Sequence, residues 1–181
     1  MTVARRTKGR LVSATDLARY CDVDLKTIHN WANRGKIPGT RTAGRHLRFR
    51  RMDVVDFLRT YELPLPDALK TAAVRVAVLD GAAGDLAPMR RVLARRFEVV
   101  AFDDPVEGLL SLGTFDPDVV VIGDVSPLEA RAVIASLRTT PATRSTRVVS
   151  LGEPVRGAAA SAPRGDATQL AQIIERVAGT V

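Results

Sequence analysis

The chain has few of the residues that build covalent cross-links or metal centres. Its 181 residues include one cysteine, Cys21, so an intrachain disulfide cannot form and a cysteine-rich zinc site is excluded. The two histidines, His29 and His46, are too few to favour a histidine-based metal centre. No apolar run approaches the roughly 18 residues of a membrane span, and the basic first ten residues lack the apolar stretch of a signal peptide. We therefore expect a cytoplasmic protein without a metal ion and without membrane contact.

Positive charge is confined to one part of the chain. Residues 1–70 carry 15 Lys and Arg against 7 Asp and Glu, a net charge of +8, whereas residues 71–181 carry 12 against 13, a net charge of −1. No lysine follows Lys70. A basic region joined to a near-neutral one favours a nucleic-acid-binding unit followed by a second unit with another role. A solvated basic surface without a partner is the alternative, and residue spacing has to decide between them.

The pattern along the chain predicts two domains. Pro64 and Pro66 resist helix continuation, and blocks typical of alternating strands and helices begin after them. The predicted order is a basic tail, a small helical domain, a linker and an α/β domain, at residues 1–10, 11–61, 62–73 and 74–181. Residues 152–165, rich in alanine and glycine, are predicted to form a loose loop.

The first domain begins with two helices that have their own start signals. Ser13 and Asp24 each precede an apolar pattern and can accept a hydrogen bond from the exposed amides of a first helical turn. These signals predict one helix from Ser13 to about Tyr20 and another from Leu25 to about Arg34 that stops at Gly35. The short connection between them is that of a helix-turn-helix motif.

The two faces of the second helix differ in chemistry. Ile28, Trp31 and Ala32 fall on one stripe that can be buried. The opposite face carries hydrogen-bond donors and positive charge without a carboxylate, from Lys26, Thr27, Asn30, Asn33 and Arg34. Such a face suits the major groove of DNA, where the bases offer acceptors and phosphates lie on both sides. An ordinary polar face is the weaker alternative. His29 lies either at the edge of this surface or beside Trp31 in the packing.

A small basic hairpin and a third helix follow. Strands are predicted at residues 40–42 and 46–49, with Leu47 and Phe49 pointing inward. The outward-pointing residues are Arg41, Arg45, His46 and Arg48, a set that suits DNA phosphates or the minor groove. The third helix, Met52 to Tyr61, closes the core through Val54, Phe57, Leu58 and Tyr61.

This arrangement resembles a known family. The segments KTIHNWANRGKIPGTRTAGRHLRF and DVVDFL are similar to the MerR-like winged helix-turn-helix of excisionase-type and BldC-like bacterial regulators. The matching residues are Trp31, Gly35, Lys36, Thr42, Gly44, His46, Arg48, Phe49 and Asp53. The resemblance implies binding to double-stranded DNA, with the second helix in the major groove and the hairpin, or wing, on the backbone or minor groove. Two residues depart from the pattern: Arg45 stands where a second wing glycine is common, and Leu47 where a basic residue is common.

Strand-like and helix-like blocks alternate in the second domain. Strands are predicted at residues 74–79, 98–102, 119–122 and 147–151, and helices at residues 85–97, 106–112, 128–138 and 166–178. This alternation predicts a parallel, doubly wound α/β sheet. The segments FEVVAFDDPVEGL, FDPDVVVIGDVSP and LRTTPATRSTRVVSLGE resemble the receiver domain of response regulators, although too few residues precede the last helix to form a full fourth helix.

The resemblance implies an acidic pocket that this sequence does not complete. A receiver needs two acids for Mg²⁺, a phosphoacceptor aspartate, a hydroxyl residue and a lysine. Asp80 matches one acid, and Asp124 lies one residue past the acceptor position. The other positions hold Gly81 for the second acid, Gly123 for the acceptor, Gly152 for the hydroxyl and Ala162 for the lysine. Phosphoryl transfer without metal ligands and lysine is poorly supported, so we predict a pseudo-receiver.

The aspartates of this domain have two readings. Asp80, Asp103, Asp104 and Asp124 are either a surviving acidic pocket or loop residues that cap helices and solvate the sheet edge. We favour the second interpretation, in which these aspartates cap helices and solvate the sheet edge. No Ser-His-Asp or Cys-His arrangement and no dinucleotide fingerprint is present, so we predict no catalytic residue, no cofactor and no metal site.

Together these features predict a bacterial, sequence-specific DNA-binding regulator of transcription or of the nucleoid. The pseudo-receiver would serve for homo-oligomerisation or for docking a protein partner through residues 74–181. Two alternatives remain: an excisionase-type factor that bends DNA for recombination, and a scaffold or ligand sensor that acts through the second domain.

Overall fold

The computed structural model describes residues 11–81, 86–126 and 128–180, and the chain divides into two units between Thr71 and Ala72. The predicted basic tail, residues 1–10, and the predicted helix start at Asp85 lie outside the described residues. Each unit has a hydrophobic core of its own. In the described part of the chain no helix is long and apolar enough to cross a membrane.

The first unit is built from short helices around a small sheet. Its elements are β1 (Leu11–Ser13), α1 (Ala14–Cys21), α2 (Leu25–Asn33), β2 (Thr40–Arg41), β3 (Leu47–Arg50), α3 (Arg51–Thr60) and α4 (Asp67–Lys70). The Ser13 hydroxyl accepts the Asp16 amide at 3.0 Å, and the Asp24 carboxylate accepts the Thr27 amide at 2.6 Å. Gly35 follows α2 with φ +70°. These contacts confirm both predicted helix starts and the glycine stop.

The wing belongs to a three-stranded antiparallel sheet rather than to an isolated hairpin. Its order is β1-β3-β2, with Val12 opposite Phe49. β1 was not predicted, because three residues are too short for a visible alternation. The predicted inward direction of Leu47 and Phe49 is confirmed, since both side chains are buried. They pack with the apolar faces of the three main helices, chiefly through Leu17, Ile28, Val54 and Leu58.

Two expectations about the end of this unit are corrected. Leu63 and Leu65 pack against the first core and Leu69 is buried, so much of the predicted 62–73 linker is part of the first unit. The buried Arg51 guanidinium secures it by donating to the Leu69 carbonyl at 2.8 and 3.2 Å. Prolines end helices but do not prevent neighbouring leucines from packing. Tyr61, predicted as core, is 49% exposed, and its ring lies 4.6 Å from the ring of Phe57.

The second unit is a five-stranded parallel sheet covered on both faces. Its elements are β4 (Arg75–Leu79), α5 (Ala87–Leu93), β5 (Glu98–Phe102), α6 (Pro105–Phe115), β6 (Val119–Ile122), α7 (Ala130–Thr139), β7 (Arg147–Leu151), β8 (Ala160–Ala162) and α8 (Ala167–Ala178). The strand order is β5-β4-β6-β7-β8. Helices α5 and α8 lie over one core and α6 and α7 over the other, which confirms the doubly wound prediction.

The region before α8 differs from the predicted loose loop. β8 lies within it and pairs with β7 in the register Ser150 to Ser161. No helix is present between β7 and β8 among the described residues, as expected for a shortened receiver. The sequence does not predict this strand, because Ala160–Ala162 lacks the β-branched residues that are typical of strands. Its pairing with β7 is what makes this segment a strand. α5 also ends at Leu93 rather than near Phe97, and the turn that follows brings Phe97 into the core.

Candidate functional site

The outer face of α2 is available for contact with a partner. Ile28 is buried on the inner side, while Lys26, Asn30 and Arg34 are exposed on the outer side. Within the described residues, no hydrogen bond or ion pair engages these three side chains. The structure therefore leaves the donors of this face free for an outside acceptor. Thr27 is half-buried beneath them.

The N-terminal end of α2 is closed by its own cap. The Thr27 amide, by hydrogen bonding to the Asp24 carboxylate, holds the pKa of Asp24 below its ordinary value of 3.8. The positive end of a helix often binds anions through free amides. Here the Asp24 carboxylate accepts one of those amides and brings a negative charge to this end of α2, so we expect side chains to make most of the contacts of α2. His29 is half-buried, which leaves both of its predicted positions open.

The wing presents its cations on a tight turn. Arg41, Arg45 and His46 are exposed, and Arg48 is half-buried with its guanidinium donating to the Leu47 carbonyl at 3.0 Å. The turn closes through the Arg45 amide to the Thr42 carbonyl at 2.8 Å and the Thr42 amide to the His46 carbonyl at 3.0 Å. The arginines therefore occupy a defined hairpin rather than a loose loop.

Arg45 adopts a conformation that suits glycine better. Its φ is +60°, in the left-handed region that costs an L-residue about 1–2 kcal/mol. The Arg41 guanidinium donates to the Arg45 carbonyl at 3.3 Å and braces the turn. The departure from the glycine pattern therefore places a charged side chain at the wing tip at the expense of backbone strain. Strain of this kind concentrates at functional sites.

One exposed cation near this surface was not among the predicted contacts. Lys36 follows Gly35, and its amide donates to the Trp31 carbonyl at 2.9 Å as the chain leaves α2. The signal was present in the sequence, because the lysine is part of the matched pattern. Its position between α2 and the wing adds positive charge to the candidate interface.

At the carboxyl ends of the parallel strands, Asp80 forms an ion pair with the partly exposed Arg164. The Asp80 side chain is fully buried. The Arg164 guanidinium donates to it through Nη1 at 2.8 Å and Nη2 at 3.4 Å, and the Asp124 amide donates at 2.7 Å. The favoured reading of Asp80 as a solvated loop aspartate is therefore wrong. Sequence reasoning missed Arg164, which lies two residues after the lysine position in the chain and 84 residues from Asp80.

Gly123 makes room for this pair, and two further glycines lie beside it. A Cβ built at Gly123, the predicted acceptor position, would overlap the Asp80 carboxyl group. Gly152 has φ +85°, and the stem of Arg164 lies 3.6–3.9 Å from where its Cβ would be. Gly81 donates its amide to the Asp124 carbonyl at 2.7 Å. A side chain at the acceptor position is thus incompatible with the present conformation of Asp80.

The other aspartates serve local turns. Asp104 caps α6 by accepting the amides of Val106 and Glu107 at 2.8 and 3.3 Å. Asp124 accepts the Ser126 amide at 2.9 Å, which lowers the pKa of Asp124. Asp103 is exposed. The capping interpretation is therefore correct for Asp104, whereas Asp124 stabilises a local turn and caps no helix.

The Mg²⁺ ion that the receiver resemblance implies does not fit these residues. Both Asp80 oxygens already accept hydrogen bonds, and Gly81 offers no second carboxylate. Mg²⁺ needs several oxygen ligands in near-octahedral geometry. Within the described ranges, no group of three acidic, histidine or cysteine side chains is placed to hold a metal ion.

Comparisons with known proteins agree with this division. Residues 11–61 match the family described as a helix-turn-helix domain. No curated protein sequence matches the chain. Solved structures similar to it include a response regulator from Desulfuromonas acetoxidans (18% identity, TM-score 0.51, 60% of this chain and 98% of that one). A chemotaxis response regulator of Vibrio cholerae (15%, 0.52, 59% and 99%) and a signal receiver domain from Bermanella marisrubri (20%, 0.51, 59% and 98%) are also similar.

Identities at this level support the fold alone. Residues 11–61 are thus similar to a helix-turn-helix domain, and the second unit has the receiver fold of response regulators.

Proposed function

We propose that the protein is a bacterial regulator that binds double-stranded DNA in a sequence-specific manner through its first unit. The observation that carries the proposal is the outer face of α2, where Lys26, Asn30 and Arg34 are exposed and have no partner within the described residues. Desolvated phosphates and base edges supply the acceptors that these donors lack. The net charge of +8 on residues 1–70 supplies the long-range attraction.

The contacts divide into two roles. Asn30 and Arg34, with Lys26, lie on the helix that would enter the major groove and read base edges. Arg41, Arg45, His46 and Arg48 lie on or beside the wing and would contact phosphates. Thr27 and His29 would lie at the margin of the helix contact. A role in transcription or nucleoid organisation in the cytoplasm follows from this activity.

The second unit would bring two first units together. A single small DNA-binding module buries only about 600–1,000 Å² of protein surface, which gives limited specificity. Homo-oligomerisation, or docking of a protein partner, through residues 74–181 would supply the second contact. Because Gly123 holds the acceptor position and Asp124 is engaged by Ser126, we expect no phosphorylation, no cofactor and no catalysis.

Binding measurements on the full chain test the proposal. DNA fragments are first selected by the protein, and affinities for a selected site and its scrambled version are measured by fluorescence anisotropy at several salt concentrations. We expect affinity to fall steeply with salt, because lysine and arginine release counterions from the phosphates. Salt-insensitive binding, or equal binding by residues 72–181 alone, would contradict the proposal.

Two substitutions separate base reading from phosphate contact. Asn30→Ala should reduce discrimination between the two sites by about 1–3 kcal/mol if the amide reads a base in bidentate fashion. Arg48→Ala should weaken both sites about equally and reduce the salt dependence by about one phosphate contact. Arg131→Ala, an exposed arginine in α7 of the second unit, removes the same charge and should leave both affinities unchanged. Equal losses on both sites for Asn30→Ala would exclude a base-reading role.

DNA bending is a second candidate, favoured by the excisionase-like family of the first unit. A bending factor would produce a large change in end-to-end distance of a doubly labelled site by energy transfer. A regulator that reads straight DNA would leave that distance unchanged.

A further inference from the structure

The strand ends of the second unit contain one permanent cation and one buried carboxylate. The Arg164 guanidinium meets Asp80 through two nitrogens, and the Asp124 amide completes the hydrogen bonding of Asp80 Oδ1. The Asp80 side chain is fully buried, whereas that of Arg164 is 45% exposed. A guanidinium does not lose its proton in proteins, so its charge is always present to neutralise the carboxylate.

We propose that Arg164 takes the place of the divalent cation of a receiver-type pocket, so that the second unit is held in one state that Mg²⁺ does not change. Several positions of the site differ together. Gly81 and Gly123 stand in place of the second acid and the acceptor, and a Cβ at position 123 would overlap the Asp80 carboxyl group.

Gly123 is essential to this arrangement. Asp80 lies where a Cβ at position 123 would be, so a side chain there and the present conformation of Asp80 exclude each other. Gly152, with its φ of +85°, lets the chain turn beside the Arg164 stem. The pair thereby joins the end of β4 to the connection between β8 and α8, which are far apart in sequence. In a pocket of this kind, a guanidinium of the protein itself supplies the positive charge that a dissociable metal ion supplies in a receiver.

Removal of the guanidinium should show how much the Asp80–Arg164 ion pair stabilises the second unit. A buried carboxylate without its partner is strongly unfavourable, and the described residues do not offer the oxygen ligands that Mg²⁺ would need to replace the guanidinium. The Arg164→Ala protein should therefore be less stable at the ends of β4 and β6, whether or not Mg²⁺ is present. This inference does not rest on DNA binding, and its test contains no DNA, so the two proposals can fail separately.

Hydrogen exchange followed by mass spectrometry on the full chain provides the test. Peptides covering β4 and β6 are compared with and without millimolar MgCl2. We expect no effect of MgCl2 on the natural protein. In Arg164→Ala we expect exchange at the ends of these strands to be about tenfold faster or more, whether or not MgCl2 is present. Arg156→Ala, an exposed arginine in the neighbouring β7–β8 connection, is the matched control and should exchange like the natural protein.

Two further variants keep the test decisive if Arg164→Ala folds poorly. Arg164→Lys retains the charge but not the paired nitrogens, and its exchange should lie between the two extremes. Asp80→Asn removes the charge that needs a cation, and in that background Arg164→Ala should have little further effect. Slower exchange of the natural protein or of Arg164→Ala in MgCl2, or no difference between Arg164→Ala and Arg156→Ala, would overturn the proposal.

Discussion

The two units use charged side chains in opposite ways. In the first unit, Lys26, Arg34 and Arg45 point outward and have no partner among the described residues. In the second unit, Asp80 and Arg164 turn towards each other at the strand ends and leave little for a ligand to bind. An exposed cation that the fold does not need is available for recognition, whereas a buried and paired charge is committed to the structure. The receiver fold is therefore retained here without the arrangement that receiver chemistry requires.

The units also differ in the residues of their cores. Trp31, Tyr20 and Tyr61 all lie in the first unit, and the sequence has no other tryptophan or tyrosine. The two cores of the second unit are mainly aliphatic, and Val119–Ile122 is buried on both faces of the sheet. Tryptophan fluorescence therefore reports on the first unit alone, and hydrogen exchange can follow the second.

The largest expected effect is a loss of stability in the first unit that leaves the stability of the second unit unchanged. Phe49 is fully buried in the first core, and Phe49→Ala should destabilise that unit by about 3–5 kcal/mol because of lost apolar burial and the cavity left behind. Trp31 fluorescence in denaturant measures this loss, while exchange in β4 and β6 should be unchanged. Leu110→Ala, at a side chain 80% exposed in α6, should change stability by less than about 0.5 kcal/mol. A parallel loss of protection in the second unit would show that the units do not unfold independently.

A pair of glycine substitutions sharpens the account of the second unit. Gly123→Ala should destabilise it by about 1–3 kcal/mol, because the new Cβ would overlap the Asp80 carboxyl group. Gly113→Ala in α6 should stabilise it by about 0.5–1 kcal/mol, because the helix interior there has open space for a methyl group. Differential scanning calorimetry measures both. Effects of the same sign at the two positions would contradict the packing described for Gly123.

The wing tip offers a test in which stability and binding change in opposite directions. Arg45→Gly should stabilise the first unit by up to about 1 kcal/mol, because glycine adopts the φ of +60° without strain. The same change should weaken DNA binding and lower its salt dependence by about one phosphate contact. Arg45→Asn, which also tolerates this conformation, controls for the loss of charge and should weaken binding to a similar extent. Unchanged affinity for both variants would show that the strain serves no contact with DNA.

The smallest effect concerns pH and the cap of α2. The pKa of Asp24 lies below its ordinary value of 3.8 because the carboxylate accepts the Thr27 amide. A lowered folded-state pKa means that the cap contributes stability above the unfolded pKa and loses it as the pH falls through the folded value. In Asp24→Asn this contribution should no longer vary with pH, so the stability difference between the two proteins should shrink on acidification. Urea midpoints followed by Trp31 fluorescence check this, and a constant difference would contradict it.

Local signals in the sequence predicted much of the fold correctly. The caps at Ser13 and Asp24 and the stop at Gly35 marked the helix-turn-helix, because capping depends on residues within one turn. The run Val119–Ile122 marked a strand buried on both faces. By contrast, β1 and β8 are three residues each, and pairing with a distant strand is what makes them strands. The site residues of α2 and the wing remain predictions, although their exposure agrees with the role assigned to them.

By itself, the sequence determined the kinds and order of the longer elements, the basic character of the first unit and the absence of the receiver residues. These properties depend on composition and on neighbours a few positions apart. Only the tertiary structure decided that residues 62–71 pack on the first core, that Arg45 is strained and that Arg164 reaches Asp80. The reason is that a contact between residues 84 positions apart depends on the closure of the sheet and on the space that Gly123 leaves, and no local pattern encodes either.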